Sequence, residues 1–277
     1  MSRFKTKIME SKILIIAVNY NSYKELYAYL QSIEEAVANM AIDCEVEVYV
    51  ADNSLVKSEI DKQSYHNFEL NIVSLDNMGY FGAAFYVVNN LVCIDQYKYV
   101  IISNVDISLE RDCLQKLLCL NIPNHVVWLS PYRYSEKYDI PLCVERDKRI
   151  PKWKILLFLL VYKFYLFQII QSYFTIHKYK NKRIYPFTKR TYSGCGSCFI
   201  LTSYFFKYYP KLSYPVFLYG EEIFLAELLR EKGLEAYYVP SVKIRNIGSV
   251  STGLLGKKKL CLYNYKAIKY LYYRFYK

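Results

Sequence analysis

The sequence predicts an α/β fold in which parallel strands alternate with crossover helices. Three observations predict it. Short apolar runs recur through the first half of the chain, and each ends in a polar, often acidic, stretch. Between these runs, apolar residues return at helical spacing, which implies helices crossing between parallel strands. The chain has 277 residues, 53% of them hydrophobic and 22% charged, so it can bury a sizeable core and is not disordered.

Taken in order, Lys12–Val18 reads as a buried first strand closed by Asn19-Tyr20-Asn21. Ser22 caps a first helix whose apolar face is Leu26, Leu30, Ile33 and Val37. Val46, Val48 and Val50 alternate along a second strand that ends in Asp52-Asn53-Ser54. Ile72–Leu75 is a third strand, followed by Asp76-Asn77-Met78-Gly79-Tyr80-Phe81-Gly82 and a helix over Ala83–Val92. Tyr99–Ile102 is a strand buried on both faces, and it stops at Asn104-Val105-Asp106. Ser108 caps a helix carrying Leu114, Leu117 and Leu118. Val126–Ser130, Cys198–Thr202 and Ala236–Val239 complete the strands. Glu221-Glu222 open a helix with Leu225, Leu228 and Leu229 on one face, ended by Gly233. No internal repeat is present.

Charge is unevenly distributed. The net charge is +12, yet Lys148–Arg190 holds 11 Lys or Arg and Ala236–Lys277 holds 9, neither with an acid. The remaining body is therefore acidic, and the two basic segments suit an anionic surface. Within the first, Trp153–Phe174 is apolar except for Lys154 and Lys163. Its length suits a membrane span. Lys163 near its middle opposes that, because a buried charge costs about 2.5–3.5 kcal/mol on insertion scales. A helix or helical hairpin in the plane of the membrane interface fits better, with a core helix as the plainer alternative. The second basic segment gives a C-terminal tail over 253–277 that interleaves Leu, Ile and Tyr with Lys. Nucleic-acid binding is disfavoured, since the charges border a greasy stretch and not stacked aromatics in a polar groove.

The N-terminus has no apolar signal sequence, which gives a cytosolic location by default. Eight scattered cysteines, including Cys44, Cys93, Cys113 and Cys119 inside apparent strands and helices, read as buried reduced thiols. Cys195-Gly196-Ser197-Cys198 has no second cysteine pair and no suitably spaced histidine, so a zinc or redox role is disfavoured. It reads as small residues on a close-packed strand. His66, His125 and His177 are isolated. No G-x-G-x-x-G follows the first strand, which disfavours a dinucleotide fold.

Three acidic loops, at Asp52, Asp106 and Glu221-Glu222, each follow an apolar run. Ligands in open α/β sheets bind beyond the carboxyl ends of the strands. A carboxylate there suits Mg²⁺ or Mn²⁺. The loop at Asn77–Gly82 opens a helix and can present backbone N–H groups to phosphate. Taken singly, such acids are more often solvated turn residues, and acids in a first helical turn simply complement the helix dipole.

The order of the pieces adds a resemblance. Val18–Ser22 (VNYNS), Asp52–Ser54 (DNS), Asn77–Ala84 (NMGYFGAA), Ser103–Ile107 (SNVDI), Ser193–Ile200 (SGCGSCFI) and Phe217–Leu225 (FLYGEEIFL) occur in sequence. Together they resemble a family 2 glycosyltransferase of GT-A fold, and most of all the bacterial rhamnosyl- and galactosyltransferase-like members that build capsule and O-antigen polysaccharides. The resemblance covers about Lys12–Thr252 apart from the insert over 148–190. It implies a GT-A domain over 1–252 with a mixed, mostly parallel sheet. It also implies inverting transfer from a UDP- or dTDP-sugar, with Mg²⁺ or Mn²⁺, to a saccharide acceptor, and the two acid-free basic segments add a lipid-linked acceptor and a peripheral place at the cytoplasmic face of a membrane. A homo-oligomer is compatible with it.

Carried over by position, Val18, Asn19 and Tyr20 flank the nucleotide, Asp52 bonds its base, and Asn77 and Gly79 line its pocket. Asn104 and Asp106 stand at the D-x-D-like motif, so Asp106 would hold the metal on the diphosphate. Glu222 stands at the general base, with Glu221 beside it. Two positions depart from the pattern. Asn246 replaces a histidine that can help hold the metal, and Phe224 replaces a frequent aspartate. The first departure motivates an alternative, a non-catalytic nucleotide-sugar-binding or scaffolding partner in polysaccharide assembly.

Overall fold

The structure is a computed structural model that describes residues 11–136, 139–142, 146–164, 185–247 and 256–277. The strands are β1 (Ser11–Asn19), β2 (Cys44–Asp52), β3 (Glu69–Ser74), β4 (Tyr97–Asn104), β5 (Ile107–Leu109), β6 (Val126–Ser135), β7 (Ile140–Pro141), β8 (Lys189–Thr191), β9 (Cys198–Thr202) and β10 (Glu235–Asn246). The helices are α1 (Tyr23–Ala38), α2 (Tyr80–Asn90), α3 (Cys113–Leu118), α4 (Lys152–Lys163), α5 (Ser203–Tyr208), α6 (Glu221–Glu231) and α7 (Lys257–Leu271), the last followed by a π-helical turn over Tyr272–Tyr276.

One sheet runs β3-β2-β1-β4-β9-β6-β10-β5, with β7 on β6 and β8 on β10. β1 to β4 pair in parallel, as do β6 and β10, while β9 and β5 run the other way. The carboxyl ends of β1, β2, β3, β4, β6 and β10 therefore share one edge.

Strand alternation splits the core between two faces. On β1, Ile13, Ile15 and Ala17 join α1 and α3, while Leu14, Ile16 and Val18 join α2, α4, α6 and α7. On β4, Tyr99 and Ile101 take the first side and Val100 and Ile102 the second, which is the two-sided burial that its apolar run predicts. Leu26, Leu30 and Ile33 bury the α1 face as its spacing predicts, while Val37 is partly buried.

Several boundaries differ from the sequence reading. β6 and β10 extend well past Ser130 and Val239, because Pro131 and Pro240 do not end these strands. The β10 register shifts between Val239 and Lys243, absorbing Pro240 in an irregular stretch, and pairing then resumes to Asn246. Ser108 caps no helix; it lies in the edge strand β5, and Asp112 precedes α3. Cys93 and Cys119 lie beyond helix ends and are exposed, so only some of the thiols are buried; those described are free.

The apolar stretch after Trp153 forms a twelve-residue helix, α4, through Lys163, and residues 165–184 lie outside the described ones. Among the described residues, no helix is long and apolar enough to cross a membrane. α7 packs beside α4, and Ala267, Ile268, Leu271 and Tyr276 enter the core.

Candidate active site

The predicted motifs meet along the carboxyl edge of the sheet, joined by a chain of contacts. Asp52 is almost fully buried at the end of β2. Its Oδ1 accepts from Asn19 Nδ2 (3.1 Å) and Ser54 N (3.1 Å), and its Oδ2 from the Tyr23 hydroxyl (2.7 Å). Asn19 is wholly buried, and its Oδ1 also accepts from Ser22 N. Asn19 therefore positions Asp52 and has no surface to offer a ligand. Val18 is likewise a core residue, and Tyr20 is half-exposed.

Asn53 ties this loop to the next. Its Nδ2 donates to the Gly79 carbonyl (3.0 Å), and its Oδ1 accepts from Met78 N (3.3 Å). Asn77 Oδ1 in turn accepts from Gly79 N (3.3 Å), rounding the turn that starts α2. Gly79 has φ +78°, and an added Cβ would lie 1.8 Å from the Phe217 carbonyl oxygen. Only glycine allows both that conformation and that approach. This contact brings the loop after β3 against the loop before α6.

α6 presents the acid pair. Glu222 is half-buried and lies against Gly196, where an added Cβ would stand 1.9 Å from Glu222 Oε1. The bare glycine backbone makes room for the carboxylate. The next residue, Ser197, accepts through its carbonyl from Asn104 N (3.0 Å), fixing this loop to the end of β4. Cys195 N donates to Ser130 Oγ (2.9 Å), and Arg133 Nη1 to Ser197 Oγ (3.1 Å).

Asp106 follows Asn104 and is buried. Its carbonyl accepts from Ile247 N (3.0 Å) and from Asn246 Nδ2 (3.3 Å), so the end of β10 closes on the Asn104-Val105-Asp106 turn. The structure thus brings Asn104, Asp106, Asn246, Gly196, Glu221 and Glu222 into one neighbourhood, with Asp52, Asn77 and Gly79 along the same edge.

Glu221 is buried, and its Oε1 has no hydrogen-bond partner. Burial, and then the charge of Glu222, push its carboxyl well above the ordinary carboxylate range; two backbone N–H groups oppose this only in part. At neutral pH this raised pKa favours the protonated form of Glu221.

A metal at this site would meet few protein donors. Asp106 supplies a carboxylate, and Asn246 has only Oδ1 left, since its Nδ2 is engaged. Among the described residues, no group of three or more His, Cys, Asp or Glu could hold a metal. Such a set fits a hard cation that takes its remaining oxygens from phosphate and water, as Mg²⁺ commonly does. It does not fit a metal caged by protein alone.

Phe224, on the helix that bears the acid pair, packs as a core residue. It is buried on α6 with ring centroids 4.6 Å from Tyr214 and 6.1 Å from Phe275, holding the C-terminal segment against α6. Sequence reading missed Asn53, Tyr23 and Arg133 as parts of the site. Asn53 stood inside a quoted motif, whereas Arg133 lies behind Pro131, in a stretch not recognised as strand.

No family model matches the chain, and no curated protein matches it in sequence. Its backbone is similar to several solved structures. GalNAc-T7, solved with UDP, GalNAc and Mn²⁺, superposes with a TM-score of 0.53 at 12% identity, over 88% of this chain and 44% of that one. The chain has the GT-A fold. A mannosyltransferase from Pyrobaculum calidifontis, solved with GDP-Man and Mn²⁺, gives 0.51 at 13% identity, over 87% of this chain and 58% of that one. Residues 1–349 of TarS from S. aureus give 0.50 at 11% identity, over 83% and 60%. The chain thus spans 44–60% of the length of these proteins.

Proposed function

We propose that the chain is an inverting glycosyltransferase. It moves a sugar from a nucleotide diphosphate sugar, UDP- or dTDP-linked, to a saccharide acceptor carried on a lipid, in the assembly of a bacterial surface polysaccharide. The observation that carries this reading is the placement of Glu222 against bare Gly196, one residue from the Ser197 contact with Asn104, beside Asp106. That neighbourhood holds a base and a hard-oxygen ligand on the side of the sheet where α/β folds bind ligands. Two structures of the same fold carry UDP or GDP-Man together with Mn²⁺, which supports a donor that brings its own metal.

In this mechanism an acceptor hydroxyl oxygen attacks the anomeric carbon as the bond to the diphosphate breaks. Glu222 accepts the hydroxyl proton, and the electron pair of the broken bond leaves on the diphosphate. Asp106 and the Asn246 Oδ1 would hold a divalent cation, which offsets the charge growing on that leaving group. Arg133, tied to Ser197, adds a guanidinium suited to the same anion. Asp52, held by Asn19, Tyr23 and Ser54, faces the base.

A second reading, a nucleotide-sugar-binding partner without transfer, draws on the sparse metal donor set around Asn246. Thermal unfolding with UDP, dTDP or GDP, each with and without Mn²⁺, tests both. A ligand that binds only the folded state raises its stability. One nucleotide should raise Tm by several degrees only with Mn²⁺, and D106N should abolish the rise. No shift with any of the three would contradict donor binding. Binding without transfer or donor hydrolysis would favour the partner reading.

A further inference from the structure

We propose that α4 and α7 form a face that docks on an anionic lipid bilayer and sets the acid-pair loop at its surface. The docking stands on the face itself; its use in presenting a lipid-linked acceptor rests on the transferase reading.

α4 is apolar on opposite sides. Ile155, Phe158, Leu159 and Tyr162 face the core. Trp153, Leu156, Leu157, Leu160 and Phe164 recur at helical spacing on the other side and are 62%, 40%, 47%, 58% and 51% exposed. Scattered exposed apolar residues are ordinary, but an aligned stripe with a tryptophan and a phenylalanine at its ends is a contact surface. Lys152 and Lys163 border it on one side and Lys154 on the other, all exposed. α7 lies alongside and turns Lys258, Lys259, Lys266 and Lys269 outward, with Leu262 and Tyr273 among them. The sequence segments that supply both helices contain no acid. A greasy stripe bordered by lysines complements anionic headgroups over acyl chains, and such helices lie in the plane of the interface.

The same helices touch the loop that bears the acid pair. Tyr263 of α7 packs at a tilt against Phe217, with ring centroids 5.1 Å apart. Leu271 and Ala267 crowd Gly220, the residue before Glu221. Burial, then the charge of Glu221 and last Tyr162 of α4 raise the Tyr219 pKa, which puts α4 near this loop too. Docking through α4 and α7 thus holds this loop near the bilayer.

The test uses the full chain with vesicles of phosphatidylcholine alone or with added phosphatidylglycerol. Trp128 is buried in the core and Trp153 is 62% exposed, so a change in tryptophan emission reports Trp153. The expected result is co-sedimentation at least tenfold stronger with the anionic vesicles, a blue shift of emission, and weakening by salt. The L157E/L160E double variant should keep the wild-type Tm and lose both signals. Equal binding to both vesicle types, no binding to either, or undiminished binding by the variant would overturn the proposal. So would a wild-type dimer that the variant converts to monomer, because the stripe would then belong to a second copy. If the variant failed to fold, the two wild-type vesicle arms would still decide. Nucleotide stabilisation without vesicles reads the donor site separately, so either reading can fail alone.

Discussion

Helix α6 carries two kinds of buried acid a short distance apart, and they are treated in opposite ways. Glu227, fully buried, accepts from Arg149 Nε (2.7 Å) and Nη2 (3.0 Å), Arg230 Nε (2.7 Å), Tyr192 (2.6 Å) and Tyr276 (3.1 Å). Burial pushes its pKa up, yet these bonds outweigh burial and hold it below the ordinary range. Glu221, at the start of the same helix, is buried beside another acid and is pushed up. Glu222 is set against bare backbone at Gly196. The fold compensates the acid that joins α6 to Arg149 and the C-terminal turn, and leaves Glu221 only partly compensated by two backbone N–H groups. Uncompensated acids in a cleft are costly for stability and useful for moving protons.

Removing the compensated charge should have the largest effect on stability. E227Q leaves two guanidinium groups without their carboxylate, and both are partly exposed, so the loss should be about 2–3 kcal/mol by urea denaturation at pH 7. The sign follows from linkage. A depressed folded pKa stabilises above the unfolded value near 4.5, and that contribution is lost as pH falls through the folded value. The gap between wild type and E227Q should therefore narrow in acid. A gap that stayed constant, or a variant as stable as wild type, would break the comparison.

The opposite change at the start of the helix should have a smaller and opposite effect. With its folded pKa raised, Glu221 makes the wild type lose stability as pH rises from about 4.5 through the folded value. E221Q escapes that loss and should be more stable at pH 8 by about 1–2 kcal/mol, with the gain fading as pH falls from 8 and gone by about pH 4.5. A destabilised E221Q at pH 8 would mean that the carboxylate is compensated by something else.

The parts of the fold read from sequence were those governed by local pattern. The Tyr99 run and its Asn104-Val105-Asp106 stop became β4 and its turn, and the Leu26-Leu30-Ile33 spacing became the buried face of α1. Reading failed where a long-range contact overrides a local signal. Pro131 and Pro240 look like strand ends, but pairing between β6 and β10 carries both strands past them. The site residues named from motifs lie along one edge, yet what joins them was not legible. Gly79 meets Phe217 and Gly196 meets Glu222 across long stretches of chain, and no spacing encodes that. Arg133 is half-buried on a strand extension and carries no motif.

The most direct test of the account is the E222Q variant, assayed for sugar transfer in single turnover alongside its affinity for the Mn²⁺–nucleotide complex that stabilises the wild type. Glutamine keeps the shape beside Gly196 and removes the proton acceptor. The account predicts transfer reduced by about a thousandfold or more, in line with the upper range for general bases, with nucleotide affinity within about twofold of wild type. Transfer at the wild-type rate would contradict it.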